Sequence, residues 1–226
     1  LFRSENFLKL VKAHHYDSLL FHRVIGDFMI QGGSSDSRHA PKGMAVGMSN
    51  PGYTIEAEIR PEYRHFKGAL AAARQGDEVN PEKRSSGEQF YLVQGKTYTD
   101  QELDQIEKRK WLAAKNQLGD RLFKPLQEEF QRYKKTGQYQ KADSLLQYVN
   151  EEIGKQYAEN PYKMSPETRE MYKSVGGTPF LDGDYTVFGE IVEGMDVLEK
   201  IALVATDSID RPKEDVIILG TKLKRK

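Results

Sequence analysis

The spacing of apolar residues changes period within this chain, and that change limits the folds open to it. From about Tyr98 to Ser174, charged and apolar residues recur at helical spacing and glycine is sparse. On either side, short runs of β-forming residues are broken by Gly, Pro, Asp and Ser. A run with period 3.6 cannot sit in a sheet, and a run with period 2 cannot present one face of a helix. Residues 1–98 and 175–226 therefore read as one β-rich domain, and 99–174 as a helical insertion within it. A chain of 226 residues can bury a core and still carry such an insertion.

In the β-rich part, Leu19 to Ile25 and Phe28 to Gln31 read as strands around a tight turn at Gly26 and Asp27. Further strands are expected at Tyr53 to Ile59, Gly68 to Ala73, Glu88 to Gln94, Tyr185 to Ile191 and Val216 to Leu223. Gly32 to Pro61 is mostly Gly, Ser, Asp and Pro, a loop long enough to be functional. A first helix is expected with Ser4 as its cap and Phe7, Leu10 and Val11 on one face, and another around Met195 to Leu203. Many short strands with turn signals suggest an all-β barrel or sandwich.

In the insertion, Thr99 and Glu102 fit a capping box, and an apolar stripe runs through Leu103, Ile106, Leu118, Leu122, Leu126, Phe130 and Tyr133. Pro125 must kink or break that helix. After Thr136 and Gly137, a second stripe follows Tyr139, Ala142, Leu146, Val149 and Ile153, so two antiparallel helices can bury their faces on each other. Ser165 and Pro166 open a third, short helix.

Composition removes whole classes of chemistry. Lys plus Arg and Asp plus Glu both number 34, so no long-range field draws the chain to nucleic acid or anionic membrane. The absence of cysteine excludes disulfides, thiolate nucleophiles and Cys-based zinc sites. No run is long and apolar enough for a membrane span. Asp36 with His39, and His14 with His15, lack metal-ligand spacing. Gly32 and Gly33 lack the Lys-Ser/Thr ending of a phosphate loop. Lys222, Lys224, Arg225 and Lys226 read as a solvated tail, and Trp111 as a packing anchor in the insertion.

Phe21 to Gly33, FHRVIGDFMIQGG, combines Arg23 and Gln31 with Phe28 and Met29 at spacings that a strand, turn and strand bring onto one surface. Taken alone it is an apolar hairpin with a solvated arginine. His22 points away from Arg23 in an alternating strand and reads as structural.

The same segment resembles the signature of the cyclophilin family, and three further blocks follow in order. Gly68 to Arg74 (GALAAAR), Ser86 to Tyr91 (SGEQFY) and Phe180 to Gly189 (FLDGDYTVFG) each resemble a family motif. The resemblance implies a mainly β fold, a closed eight-stranded barrel with a helix over each mouth and a peptide groove on its outside. It also implies two strands ahead of the first helix, for which Leu1 to Asn6 leaves no room, so N-terminal strands are expected to be missing. The implied activity is peptidyl-prolyl cis/trans isomerisation in unfolded or flexible chains, assisting folding without a cofactor. By matching position, Arg23 would be catalytic. Phe28, Met29, Tyr91 and Leu181 would line the proline pocket, Gln31 and Gln89 would contact peptide backbone, Ala73 and Arg74 would offer main-chain groups, and Phe180 and Tyr185 would close the far side. Phe180 stands where the family often has Trp, which implies weaker binding of cyclosporin-like macrocycles. Tyr185 replaces a common His, Arg74 an Asn, Tyr91 a Phe and Ser34 an Asp. A binding-class alternative is a chaperone or docking module that holds Pro-containing segments while the insertion captures a protein partner.

Overall fold

The computed structural model describes residues 2–49, 51–157 and 162–224; Arg225 and Lys226 of the basic tail lie outside them. Two compact units result, Leu1–Tyr98 with Glu170–Lys226, and Thr99–Arg169.

In the first unit, the β-forming runs make an antiparallel sheet in the order β1-β2-β6-β4-β7, from β1 (Phe21–Ile25), β2 (Met29–Gly32), β4 (Ala69–Ala72), β6 (Phe90–Val93) and β7 (Val187–Glu190). A separate two-residue ladder joins β3 (Thr54–Ile55) to β5 (Ser85–Ser86). Period-2 alternation divides the side chains of the main sheet. Met29, Ala71, Tyr91 and Val93 form a cluster on one face, with Phe28, Leu181 and Tyr185 packed against it. On the other face, Val24 and Ile30 meet Leu198 and Ala202 of α6 (Met195–Ala202), while Phe90 meets Val11 of α1 (Phe2–Lys12) together with Tyr16 and Leu19.

The expectation of a mainly β, closed eight-stranded barrel is overturned. Among the described residues, helix occupies 41% and strand 15%, and the sheet stays open. The reason lies in its two edges. Beyond β1, the C-terminal stretch supplies only an isolated bridge, Leu20 to Ile217, with Phe21 N–H bonded to Val216 O at 2.9 Å and Ile218 N–H to Leu19 O at 2.8 Å. Val216 to Ile218 thus pairs only with Ser18 to Phe21 at the sheet edge, and the strand expected over Val216 to Leu223 does not form. Beyond β7, the neighbour is α1, whose Ser4 hydroxyl donates to Phe188 O at 3.3 Å. With an isolated bridge at one edge and a helix at the other, no strand among the described residues joins β1 to β7. Tyr53 to Ile59 likewise contracts to β3.

Ser4 does not cap the first helix. The helix begins earlier, and the Glu58 carboxylate accepts from the N–H groups of Phe2 (2.9 Å) and Arg3 (2.8 Å), filling the role of an N-cap side chain from a distant part of the chain.

The second unit is helical. Thr99 and Glu102 form the capping box of α2 (Asp100–Phe123). Lys124–Leu126, with Pro125, turns as a short 3-10 segment before α3 (Gln127–Lys135). Leu118, Val149 and Ile153 make a core between α2 and α4 (Tyr139–Tyr157), with Leu122, Phe123 and Leu126 against it. Tyr139 and Leu146, expected on the buried stripe, are exposed. α5 (Pro166–Ser174) starts at its proline, with the Ser165 hydroxyl accepting from Thr168 N–H. No helix among the described residues is long and apolar enough to cross a membrane.

Candidate active site

The antiparallel ladder β1-β2-β6 is what assembles the site. Arg23 pairs with Gln31, and Gln31 with Tyr91, so an arginine, a glutamine and an aromatic ring share a row across three strands. Phe28 and Met29 stand where the turn enters β2, and Ala73 and Arg74 where the chain leaves β4. Leu181 and Tyr185 come from the segment ahead of β7. Together with Arg23 and Gln31 these residues border one cavity of about 300 Å³.

The wall opposite the arginine is buried and fully bonded. Tyr91, 4% exposed, has its hydroxyl 3.0 Å from His65 Nε2, and His65 Nδ1 lies 3.0 Å from Asp182 Oδ1. A carboxylate only accepts, so Nδ1 carries the proton and Nε2 accepts from the Tyr91 hydroxyl. Burial raises the Tyr91 phenol well above its ordinary range, so it stays protonated and can donate. Tyr172 O–H completes the chain at Asp182 Oδ2, 2.7 Å away.

Arg23 is different in character. Its side chain is 42% exposed, and its Nε donates to Asp210 Oδ2 at 3.4 Å. Gln31 donates to Gln89 Oε1 at 3.0 Å, and Gln89 in turn donates to Gly47 O at 3.1 Å. Gln89 itself borders a neighbouring cavity, also lined by Gln31, Ala73 and Arg74. Phe180 lies outside the 300 Å³ cavity and packs against Phe28 with ring centroids 5.5 Å apart. The Arg74 side chain folds back, donating to Asp184 O at 2.8 Å and lying 4.4 Å over the Tyr185 ring.

Sequence reasoning missed a further wall. Val46, Gly47 and Met48 close one side, and His22, Ile209 and Arg211 another. The Asp36 carboxylate shapes the first by accepting from Gly47 N–H (3.0 Å) and Met48 N–H (2.9 Å). Gly47 sits at φ 96° with the His22 ring 2.8 Å from where a Cβ would be, so no side chain fits there. A β-bulge between Phe21 and Arg23 breaks the alternation that had placed His22 away from Arg23. Burial pushes the His22 imidazole down to about 4, and the ring is neutral.

Residues 2–115 and 117–223 match the family model described as cyclophilin type peptidyl-prolyl cis-trans isomerase/CLD. The chain belongs to that family. A Staphylococcus haemolyticus protein assigned as a peptidyl-prolyl cis-trans isomerase is 31% identical over 214 residues, 95% of this chain and 76% of that protein. A Streptococcus pyogenes protein assigned as a bifunctional phosphatase and peptidyl-prolyl cis-trans isomerase is 33% identical over 218 residues, 94% of this chain and 32% of that protein. In fold, the chain is similar to a Cryptosporidium parvum cyclophilin-type isomerase whose crystal structure was determined in the presence of the dipeptide Ala-Pro. The TM-score is 0.52 at 16% identity, covering 99% of this chain and 85% of that one. As a cyclophilin, this chain is a peptidyl-prolyl cis/trans isomerase and takes proline-containing peptides as substrates.

Proposed function

We propose that Arg23 is the transition-state donor of this isomerase and that Phe28, Met29, Tyr91 and Leu181 hold the prolyl ring beside it. The observation that carries the reading is a half-exposed guanidinium on the rim of a cavity that Phe28, Met29, Leu181 and the Tyr91 ring also border.

The prolyl amide resists rotation because conjugation of the C–N bond sets a barrier of about 20 kcal/mol. In the twisted transition state the nitrogen pyramidalises and its lone pair is released. A donor placed there bonds to it more strongly than to the planar ground state. A guanidinium is always protonated and rigid, and offers several donors to the nitrogen and the neighbouring carbonyl. An acceleration of about 10⁵-fold requires roughly 7 kcal/mol, whereas one charge-assisted hydrogen bond contributes about 1.5–3. The remainder comes from fixing the ring while the acyl side turns, and from apolar walls that strengthen the field of the arginine. Gln31 and Gln89 hold the peptide backbone, with the main chain at Ala73 and Arg74 beside it, and Phe180 and Tyr185 form the rim. The clients are unfolded or flexible chains.

Arg23→Ala, assayed on a proline-limited refolding reaction, is expected to lose nearly all catalysis. An unchanged rate would remove Arg23 from the mechanism.

The second reading concerns 99–174, which carries exposed Leu112, Leu146 and Tyr148. Those side chains suit capture of the same non-native chains that the cavity acts on. Deleting the segment is expected to leave isomerisation of a short peptide intact and to abolish aggregation suppression. Loss of both would make the segment structural.

A further inference from the structure

The turn from Asp207 to Arg211 stands beside Arg23, and its construction is more demanding than a surface turn requires. Asp210 holds φ at 64°, a left-handed conformation that side chains other than glycine adopt only where the surroundings fix it. Here they do. The Asp207 carboxylate accepts from Ile209 N–H (2.9 Å) and Arg211 N–H (3.0 Å), and Asp207 N–H bonds to Arg211 O at 2.8 Å. Val24 N–H donates to Asp210 O at 2.9 Å, fastening the turn to the residue after Arg23. Arg211, 2% exposed, donates to Pro41 O and Met44 O and reaches Asp215 at 3.0 Å, tying the turn to the chain just ahead of Val46. The outcome is a carboxylate delivered to one edge of the Arg23 guanidinium.

We propose that Asp210 is a positioning residue for Arg23, holding the guanidinium through Nε so that its two terminal nitrogens face the prolyl cavity. The inference rests on the reading of Arg23 as the transition-state donor. Among the described residues, Nε makes the only hydrogen bond found for this guanidinium. Anchoring one of five donors fixes the plane of the fork and leaves four for substrate. A carboxylate suits the task because it accepts only, and so does not compete with the guanidinium for the amide nitrogen or the carbonyl. Both partners are 42% exposed, so the bond orders the arginine without burying its charge.

The test uses Asp210→Gly, which keeps the left-handed backbone and removes the carboxylate, and Asp210→Asn, which also tolerates that backbone and removes only the charge. Each is measured on a short X-Pro peptide with kcat and KM separated, beside Arg23→Ala and the double variant. Asp210→Gly is expected to lower kcat about fivefold, the scale of a half-exposed ion pair, with KM unchanged. Asp210→Asn is expected to fall between it and wild type. In the Arg23→Ala background the Asp210→Gly change is expected to have no effect, since its target is gone. Wild-type kcat in Asp210→Gly, with Arg23→Ala inactive, would overturn the positioning role alone. An equal loss in both backgrounds would overturn it too, as a structural effect. An active Arg23→Ala would overturn the parent reading and this inference together.

Discussion

Along the Tyr91 wall, hydroxyl, imidazole and carboxylate are buried and joined by bonds of 2.7–3.0 Å; across the cavity, Arg23 is 42% exposed and held by one bond of 3.4 Å. The contrast matches what the two sides have to do. The prolyl ring must not move while the acyl group turns past it, so the wall is stiff. The nitrogen changes shape on the way to the transition state, so its donor needs an anchored but adjustable hold. Low dielectric strengthens the bonds on the buried side and raises the cost of breaking any one of them. Solvent weakens the pair on the other side.

The largest expected effect follows from removing the centre of the stiff wall. Asp182→Ala removes at once the acceptor for Tyr172 O–H, His65 Nδ1–H and His65 N–H. Unfolding in urea is expected to show a loss of about 3–5 kcal/mol. Arg23→Ala is expected to cost under about 1 kcal/mol of stability while reducing kcat/KM by about 10²- to 10³-fold. Comparable stability losses in the two variants would erase the distinction between wall and donor.

Next in size is a pH effect on the arginine side. His22 is 5% exposed, and burial is the first cause of its depressed pKa of about 4; Asp36 opposes the shift, while Arg23 and Arg211 add to it. Between its ordinary value near 6.5 and about 4, the unfolded chain binds a proton at His22 that the folded chain does not. The stability it contributes is therefore complete above pH 6.5 and lost as pH falls through 4, a change of about 3 kcal/mol. Wild type is expected to lose that much more than His22→Leu between pH 7 and 4 in urea titrations. A constant difference between the two proteins across that range would mean that His22 is not held neutral.

What could be read from the sequence depended on whether a residue lies in a regular ladder. Arg23, Gln31 and Tyr91 share a row because strand periodicity fixes their register, and the motif blocks marked those strands. Pro125 and the Thr99–Glu102 box declared themselves because their effects are local. Closure of the sheet was not legible, since it depends on what meets β1 and β7 from distant parts of the chain. Glu58 as the helix cap is a contact across more than fifty residues of sequence. Val46 to Met48 and Ile209 to Arg211 were missed because they are set by side-chain contacts, a non-local one from Asp36 and a turn at Asp207, and these leave no periodic trace. His22 was misplaced by one bulge, which shifts the face of every residue beyond it.

The smallest expected effect tests whether the wall acts on substrate by shape or by its hydroxyl. Tyr91→Phe keeps the ring that borders the cavity and removes only the O–H that His65 Nε2 accepts. The imidazole is left with an unpartnered buried acceptor, so a loss of about 1–2 kcal/mol is expected in urea. If the hydroxyl faces His65 and the ring alone faces proline, kcat/KM on a short X-Pro peptide should stay within about twofold of wild type, well under one hydrogen bond's worth. Unchanged stability with a tenfold fall in kcat/KM would reverse the assignment: the hydroxyl would then belong to the substrate side, and the wall would be as adjustable as the arginine across from it.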